Sequence, residues 1–341
     1  MDGKPAASTP VSRRPERAGR MRRLLALALL SAIPAWALAA DAAADYPDKF
    51  IRFIVPYAPG GSSDVLARTL GQKLGESLGQ TFVVDNRPGA GSMVGTDVAA
   101  KANPDGYTLI LSDMPHTINP SIHAKVPYDP VKDFTPITVI GVAPMFLFAH
   151  PSLKASDVKE FIALAKAQPG QIAIASGGTG ATTHLAAELL QSHAGIKLNH
   201  VPYKGAGPAM TDVVAGQVPA TFTTMATAAP FAKSGRVRIL GVTSSKRLTA
   251  FPNVPTFSES GVPMVFEHWW GVMAPAGLPK PIVDKLHAHI SKALAAADVR
   301  ERFAALAVEP RTTTPEQFRQ LLVSDLKRWA KVVKDAGIKP E

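Results

Sequence analysis

Two glycine-rich segments in the sequence carry the residue types that bind an anion through backbone N–H groups. Gly60-Gly61-Ser62-Ser63 and the longer segment from Ser176 to His184 each follow an apolar run and precede a helical pattern. The start of a helix exposes unpaired N–H groups at the positive end of its dipole, and glycine lets a ligand approach them closely. Ser and Thr hydroxyls add donors that can orient a carboxylate. These segments therefore predict an anion site that needs no Arg or Lys.

Ordinary helix capping is the alternative explanation for each segment, and it would be preferred for one segment alone. Two segments placed alike in two strand–helix series favour ligand binding instead. Neither carries the Lys-Ser/Thr of a phosphate-binding P-loop, and the sequence has no Gly-x-Ser-x-Gly nucleophile elbow. The spacing in Gly89–Gly95 is one residue off the dinucleotide-binding pattern.

The histidines do not form a zinc signature. His287 and His289 are two residues apart on a predicted helix and so point in different directions. His116 and His184 are the two histidines that we expect near a pocket. Because no nucleophile–base pair is found, we predict a protein that is not an enzyme, with no catalytic residue, no metal and no cofactor.

The elements that would position the glycine-rich segments alternate between strand and helix. We predict a strand at 48–57, a helix from Ser62 with leucines spaced by four, and strands at 81–85 and 107–111. A second series contains a helix at 156–167 capped by Ser156 and a strand at 171–176. This alternation predicts an α/β fold with largely parallel sheets, whose ligands bind beyond the carboxyl ends of the strands.

The ends of the chain predict export and a packed terminal helix. Residues 21–40 contain Arg22-Arg23, an apolar run shorter than the ~20 residues of a membrane span, and Ala37-Leu38-Ala39 as a cleavage site. We therefore predict a signal peptide within residues 1–40, with Met21 as an alternative start and a short membrane anchor as the alternative interpretation. Thr314-Pro315-Glu316-Gln317 predicts a capped helix at the C-terminal end.

Composition excludes two classes of function. The chain has no cysteine, so disulfides and thiolate metal sites are absent. Residues 1–40 hold seven of the 37 Lys/Arg and two of the 27 Asp/Glu, which leaves 30 basic and 25 acidic residues. These charges are scattered without a basic run, so we expect no nucleic-acid partner.

Several segments together carry a family resemblance, and they occur in this order: VPYAPGGSSDVLAR, DNRPGAGSMVGTDVAAKANPDGYTL, HTINPSIHAKVPYDPVKDFTPI, SGGTGATTHLAAELL, VPYKGAGPAMTDVVAGQV, LGVTSSKRLTAFPNVPTFSESG and WWGVMAPAGLPKPIVDKL. From about Tyr46 to the C-terminus the chain resembles the Bug-type extracytoplasmic solute receptors of tripartite tricarboxylate transporters. The resemblance implies a type II periplasmic binding protein, with two α/β lobes joined by two crossover segments and the ligand cleft between them. The crossovers would lie near Phe146–Pro151 and Glu267–Ala274. Lobe 1 would comprise residues 45–147 plus 268–341, and lobe 2 residues 148–267.

The resemblance also implies a function. A monomeric periplasmic receptor would capture a small organic carboxylate, such as a di- or tricarboxylate, an aromatic acid or an amino acid. It would deliver that ligand to the membrane subunits of a tripartite tricarboxylate transporter. The alternative is a periplasmic sensor that passes ligand occupancy to a membrane signalling partner. The positions that match the family's binding segments are Tyr57, Gly60, Gly61, Ser62, His116, Thr117, Ser176, Gly177, Gly180, Thr182, Thr183 and His184. Among them, His116 and Thr117 match the loop after the third strand.

Two residues depart from the family pattern in the predicted loop after the third strand. Asp113 and Met114 stand where small, neutral residues are usual. We expect Asp113 to face solvent, with selection of a ligand amine as the alternative, and Met114 could narrow the pocket. For four large apolar residues we expect core packing rather than an apolar wall for an aromatic ligand: Phe222, Met225, Trp269 and Trp270.

Overall fold

The computed structural model describes residues 1–4, 6, 7 and 45–338. The predicted signal-peptide segment, residues 21–40, lies outside them. All the elements named below belong to the compact unit that begins at Tyr46. Within the described part of the chain, no helix combines the length and apolarity that crossing a membrane requires.

The described residues form eleven strands and ten α-helices. The strands are β1 Ile51–Val55, β2 Phe82–Asn86, β3 Thr108–Asp113, β4 Phe134–Pro144, β5 Phe146–Ala149, β6 Ala173–Ser176, β7 Asn199–Pro202, β8 Ala220–Thr223, β9 Arg238–Val242, β10 Glu267–Pro275 and β11 Glu309–Pro310. The helices are α1 Ser62–Leu78, α2 Met93–Ala100, α3 Pro115–Ile122, α4 Val158–Ala167, α5 Thr182–Ala194, α6 Ala206–Val214, α7 Met225–Lys233, α8 Lys280–Ala295, α9 Ala297–Ala305 and α10 Pro315–Asp335. Short 3-10 turns lie at Ala90–Ser92 and Ser258–Ser260.

The strands form two sheets with the same internal order. The six-stranded sheet runs β2-β1-β3-β10-β4-β11, and the five-stranded sheet runs β7-β6-β8-β5-β9. The first three strands of each order are parallel, whereas β10 and β5 run antiparallel to their neighbours. Each sheet therefore has a parallel half of strand–helix units and an antiparallel half built where the chain passes between the sheets.

Amphipathic patterns in the sequence explain how the helices cover the sheets. The side chains of α1 spaced by four, Leu66, Leu70 and Leu74, are fully buried, as their spacing predicts. Helix α10 begins with a capping box in which Thr314 Oγ1 accepts from Gln317 N and the Gln317 side chain accepts from Thr314 N. It packs against α3 and β4. The predicted capped helix at this end of the chain is confirmed.

Two crossing segments join the sheets and are tied to each other. Met145 alone separates β4 of the six-stranded sheet from β5 of the five-stranded sheet. Its N–H donates to Thr243 Oγ1 over 2.9 Å, and that hydroxyl donates to the carbonyl oxygen of Phe266 over 2.8 Å. The protein thus has the two-lobe architecture expected of a type II periplasmic binding protein. The residue bounds of the lobes, at 147/148 and 267/268, stay a prediction.

Two local expectations were wrong. The N-cap of α4 is Asp157, whose Oδ1 accepts from Glu160 N over 2.8 Å. Ser156 lies one residue earlier and donates to the Glu160 carboxylate instead. His116 and Thr117, expected in a loop, lie inside α3, which starts with a proline at its first position.

Candidate functional site

The strand order places the two glycine-rich segments at corresponding points of the two sheets. In the parallel half of each sheet the first strand in sequence, β1 or β6, lies between the second and third strands. Connections leave such a strand and its neighbour in opposite directions, which opens a crevice at the carboxyl ends. Helix α1 starts beyond β1 and helix α5 beyond β6. Both predicted anion-binding segments therefore lie where a doubly wound sheet binds ligands.

A cavity lies between these helix starts, with about 40 Å³ of space open to water-sized molecules. Fourteen residues line it: Tyr57, Gly61, Ser62, Ser63, Asp113, Met145, Gly177, Ala181, Thr182, Thr183, Ala206, Thr223, Thr224 and His268. These residues come from both sheets and from the Met145 crossover, so a ligand here would contact both lobes.

Four helices, not two, direct their N-termini to this cavity. Besides α1 and α5, helix α6 contributes Ala206 and helix α7 contributes its N-cap, Thr224. None of the four N-cap residues makes a side-chain capping hydrogen bond. The first-turn N–H groups of these helices and their dipoles therefore favour negative charge in the cavity.

The longer glycine-rich segment is held in shape by side chains that bond its own backbone. Gly177 N donates to Thr183 Oγ1 over 2.7 Å, and Gly178 N donates to Ser176 Oγ over 3.1 Å. Gly180 N lies 3.3 Å from His184 Nδ1, which accepts its hydrogen bond. Ser176 and His184 thus shape the loop, while the start of α5 reaches the cavity.

Six of the twelve residues predicted from the sequence line the cavity: Tyr57, Gly61, Ser62, Gly177, Thr182 and Thr183. Six others lie away from its wall: Gly60, His116, Thr117, Ser176, Gly180 and His184. The N–H of Gly60 donates to Asp64 Oδ2 over 3.0 Å and so turns toward its own helix. Thr117 Oγ1 donates to the carbonyl oxygen of Met114 over 2.9 Å. A ligand-binding role for any of the twelve stays a prediction.

The two histidines expected near a pocket are buried in polar–aromatic surroundings. His116 stacks on Tyr128 and meets Phe134 edge-on, and its Nε2 lies 2.7 Å from the carbonyl oxygen of Pro130. Burial lowers its pKa to about 4. Burial, with the neighbouring His200 and His123, also lowers the pKa of His184 to about 4. Both side chains are therefore neutral near neutral pH.

Asp113 lies in the cavity wall, so the expectation of solvent exposure was wrong. Only 4% of the residue is exposed. Tyr57 Oη donates to its Oδ1 over 3.0 Å, and Ser63 Oγ donates to its Oδ2 over 3.2 Å. Trp270 Nε1 donates to Ser63 Oγ over 3.2 Å and thereby orients that hydroxyl. Burial, together with the Asp113 charge, raises the pKa of Tyr57 well above its usual value, so its hydroxyl remains a donor.

His268 joins the same network from the opposite direction. Its Nδ1 lies 3.0 Å from Thr182 Oγ1, at the start of α5, and its Nε2 lies 3.5 Å from Asp113 Oδ2. The pairing of β10 with β3, which sets Trp270 opposite Asp113, explains this proximity. Thr182 and Asp113 belong to different lobes, so His268 bridges them across the cavity.

Eight lining residues were not among the twelve predicted positions: Ser63, Asp113, Met145, Ala181, Ala206, Thr223, Thr224 and His268. Of these, Asp113 alone was assigned a ligand contact of its own, as the alternative to solvent exposure. Thr223-Thr224 carries a signal that could have been used, because it repeats the pattern of a strand followed by hydroxyl residues at a helix start. Met145 and His268 carry no such local signal, since crossing strands bring them in. Met114 is 1% exposed and lies away from this cavity, so it does not narrow it.

The large apolar residues pack as expected. Phe222, Met225, Trp269 and Trp270 are each at most 4% exposed, and none lines the cavity. Across the described ranges, no three His, Cys, Asp or Glu side chains are placed to hold a metal ion.

Comparison with known proteins decides the family. Residues 66–338 match the model of the tripartite tricarboxylate transporter family receptor, TctC. The chain belongs to this family. It is 41% identical to the protein BugT of Bordetella pertussis over 322 residues, which is 94% of this chain and 99% of BugT.

Three solved structures of similar proteins share the fold. The periplasmic binding protein BugD is 34% identical with a TM-score of 0.85, covering 87% of this chain and 100% of BugD. The Rhodopseudomonas palustris protein Rpa4515, solved with adipate, is 32% identical with a TM-score of 0.84, covering 87% and 100%. MatC of the same species, solved with bound malate, is 32% identical with a TM-score of 0.81, covering 84% and 100%. BugD is thus a periplasmic binding protein, and the other two structures hold the dicarboxylates adipate and malate.

Proposed function

We propose that this TctC-family receptor binds a small organic carboxylate in the periplasm and delivers it to the membrane subunits of a tripartite tricarboxylate transporter. One observation carries the proposal: four helix N-termini converge on one cavity whose fourteen lining residues include no Lys or Arg. Backbone N–H groups and helix dipoles supply the attraction that a salt bridge would otherwise give. The adipate and malate held by the two Rhodopseudomonas relatives support the same ligand class.

A thermal-shift screen of the purified protein tests the ligand class. The panel contains aliphatic dicarboxylates, tricarboxylates, aromatic acids and amino acids. A ligand at ~100 times its dissociation constant adds ~2.7 kcal/mol to the free energy of unfolding, which raises the melting temperature by several degrees. If no acid in the panel raises it, carboxylate binding is wrong.

A matched pair of variants tests the location of the site. Ser62→Leu places a branched apolar side chain at the start of α1, on the cavity wall, and is expected to abolish the shift. Ser324→Leu makes the same change on the exposed face of α10, and its melting temperature should still rise when the ligand is added. An equal shift in both variants would place the ligand elsewhere.

Delivery to a transporter is tested separately from binding. The ligand-loaded protein is cross-linked to membranes of the source cell, and the captured membrane proteins are identified by mass spectrometry. Transporter subunits are the expected result. Recovery of a signalling protein in their place would favour the sensor alternative.

A further inference from the structure

The ionisable groups of the cavity are unusual for a site that attracts anions. Among its fourteen lining residues Asp113 is the single acid, and no Lys or Arg opposes it. Its side chain is 5% exposed, so water screens its charge weakly. A carboxylate ligand held by the helix N-termini would share this small space with a second negative charge.

The hydrogen bonds of Asp113 leave acceptor capacity. Its two oxygens accept one hydroxyl each, from Tyr57 and Ser63, whereas an ionised carboxylate offers about four acceptor sites. His268 Nε2, buried and lining the cavity, has no hydrogen-bond partner among the described residues and lies 3.5 Å from Asp113 Oδ2. Thr224 Oγ1, on the five-stranded-sheet side, is likewise buried without a partner in the described part of the chain. These groups indicate that the cavity takes a ligand with donors as well as acceptors.

The charges of the cavity would act differently on a dicarboxylate and on a zwitterion. A dicarboxylate brings two negative charges beside a buried aspartate, and like charges in a poorly solvated site repel strongly. A zwitterion with one carboxylate and one ammonium places its negative end at the helix N-termini and its positive end at Asp113. Each charge is then compensated, which buried charges require.

We propose that the ligand is a small carboxylate that also carries a protonated amine, and that the Asp113 carboxylate accepts a hydrogen bond from that amine. This inference rests on the proposed function and narrows its ligand class. Asp113 thereby determines specificity, and the hydroxyls of Tyr57 and Ser63 hold it in position.

Calorimetric titration with matched acids tests the proposal on the unmodified protein near neutral pH. The pairs differ only in the amine: aspartate and succinate, glutamate and glutarate, alanine and propionate. In the pair that binds, we expect the amino member to bind at least ~10-fold more tightly, because removing one partner of a buried charge pair leaves the other uncompensated. Equal or tighter binding of the member without the amine would overturn the proposal.

The variant Asp113→Asn separates a specific contact from a general charge effect. We expect this variant to bind the amino acid of the pair at least ~10-fold more weakly. Its affinity for the acid without the amine should stay the same or increase. Asp284→Asn removes the same charge from α8, where the Asp284 side chain is 58% exposed and paired with Lys280, and should change neither affinity. Equal weakening of both acids by Asp113→Asn would give Asp113 only a structural role and would contradict the proposal.

The outcomes also separate this inference from the proposed function. If the plain acid of a pair, or an aromatic or tricarboxylic acid without an amine, binds best, the receptor binds carboxylates but Asp113 selects no amine. If no carboxylate of either kind binds, both the proposed function and this inference fail. The comparison of matched acids on the unmodified protein stands even if Asp113→Asn does not fold.

Discussion

Two threonines near the start of α7 have buried hydroxyls in different surroundings. Thr224 Oγ1 and Thr227 Oγ1 both lack a hydrogen-bond partner among the described residues, and the two residues are 3% and 4% exposed. Thr224 lines the cavity, and Thr227 does not. We expect Thr224→Val to weaken ligand binding about fivefold, since a neutral hydrogen bond contributes about 1 kcal/mol. Calorimetric titration measures this loss.

Thr227→Val is the matched control for that prediction. It removes a buried hydroxyl outside the cavity, so ligand affinity should be unchanged. The free energy of unfolding should stay level or rise by up to about 1 kcal/mol, because an unpaired buried hydroxyl is unfavourable. Similar affinities for the two variants would mean that Thr224 does not contact the ligand.

The buried histidines make stability depend on pH. Burial lowers the pKa of His116 and of His184 to about 4 from 6.5. Between about 4 and 6.5 the unfolded chain binds protons that the native protein does not. The contribution of these two histidines to the free energy of unfolding is therefore fully present above pH 6.5, and it is lost as the pH falls toward 4.

Urea unfolding across this pH window measures the effect, and His116→Phe assigns part of it. The variant loses the hydrogen bond to Pro130, so it should be less stable near neutral pH, where His116 is neutral. Its stability should nevertheless fall less steeply with acid, by up to about 1.4 kcal/mol per pH unit, the contribution of one proton. An unchanged slope would mean that His116 titrates normally in the native protein.

At the scale of elements, the cap of α4 gives a direct test of a corrected expectation. Asp157→Ala removes the carboxylate that accepts from Glu160 N, and we expect a loss of about 1 kcal/mol in the free energy of unfolding. Ser156→Ala leaves the Ser156 N–H bond to Glu160 intact and removes only an exposed hydroxyl bond, so the expected loss is below about 0.5 kcal/mol. Denaturant unfolding compares the two. A larger loss for Ser156→Ala would reinstate serine as the cap.

Local patterns predicted the elements whose signals lie within a few residues. The leucine spacing of α1 and the capping box of α10 were readable because helices form contacts over three or four positions. Helix α3 was missed because it carries Pro120 in its interior. Strand β10 was predicted only as a crossover, since its place between β3 and β4 depends on pairing with strands far away in sequence.

The same distinction explains the site. Gly61, Ser62 and Thr182 could be predicted because a helix start is a local feature. Asp113 and His268 approach each other only through the pairing of β10 with β3. The burial of Asp113 and its proximity to His268 were therefore not visible in the sequence. Family resemblance supplied the two-lobe architecture and the twelve predicted positions, six of which line the cavity. Physical reasoning about helix starts pointed independently to the two glycine-rich segments.

At the scale of the whole molecule, backbone contacts across the cleft set how closely the lobes approach. Ala58 N donates to the carbonyl oxygen of Lys204 over 2.9 Å, which joins the segment after β1 to the segment after β7. Gly91, in the 3-10 turn before α2, lies against the backbone of Thr179, before α5, and a Cβ at Gly91 would overlap the Thr179 carbonyl oxygen. Closing two lobes over a ligand by hinge motion requires this approach.

We therefore expect Gly91→Ala to hinder closure. Its φ of +57° also strains any residue with a Cβ, by about 1 kcal/mol. Gly79→Ala, at a φ of +72° and with no heavy atom of the described residues within 4 Å of the added Cβ, carries the same strain without the contact. Ligand affinity should fall at least ~10-fold in Gly91→Ala and remain unchanged in Gly79→Ala.

Small-angle scattering with saturating ligand completes the test, because a receptor that cannot close keeps a larger radius of gyration. Gly79→Ala should contract like the unmodified protein, and Gly91→Ala should not. If both variants contract equally and bind equally well, the contact between Gly91 and Thr179 does not limit closure. The two crossing segments, tied by the hydrogen bond from Met145 to Thr243, would then position the lobes without the contact between Gly91 and Thr179.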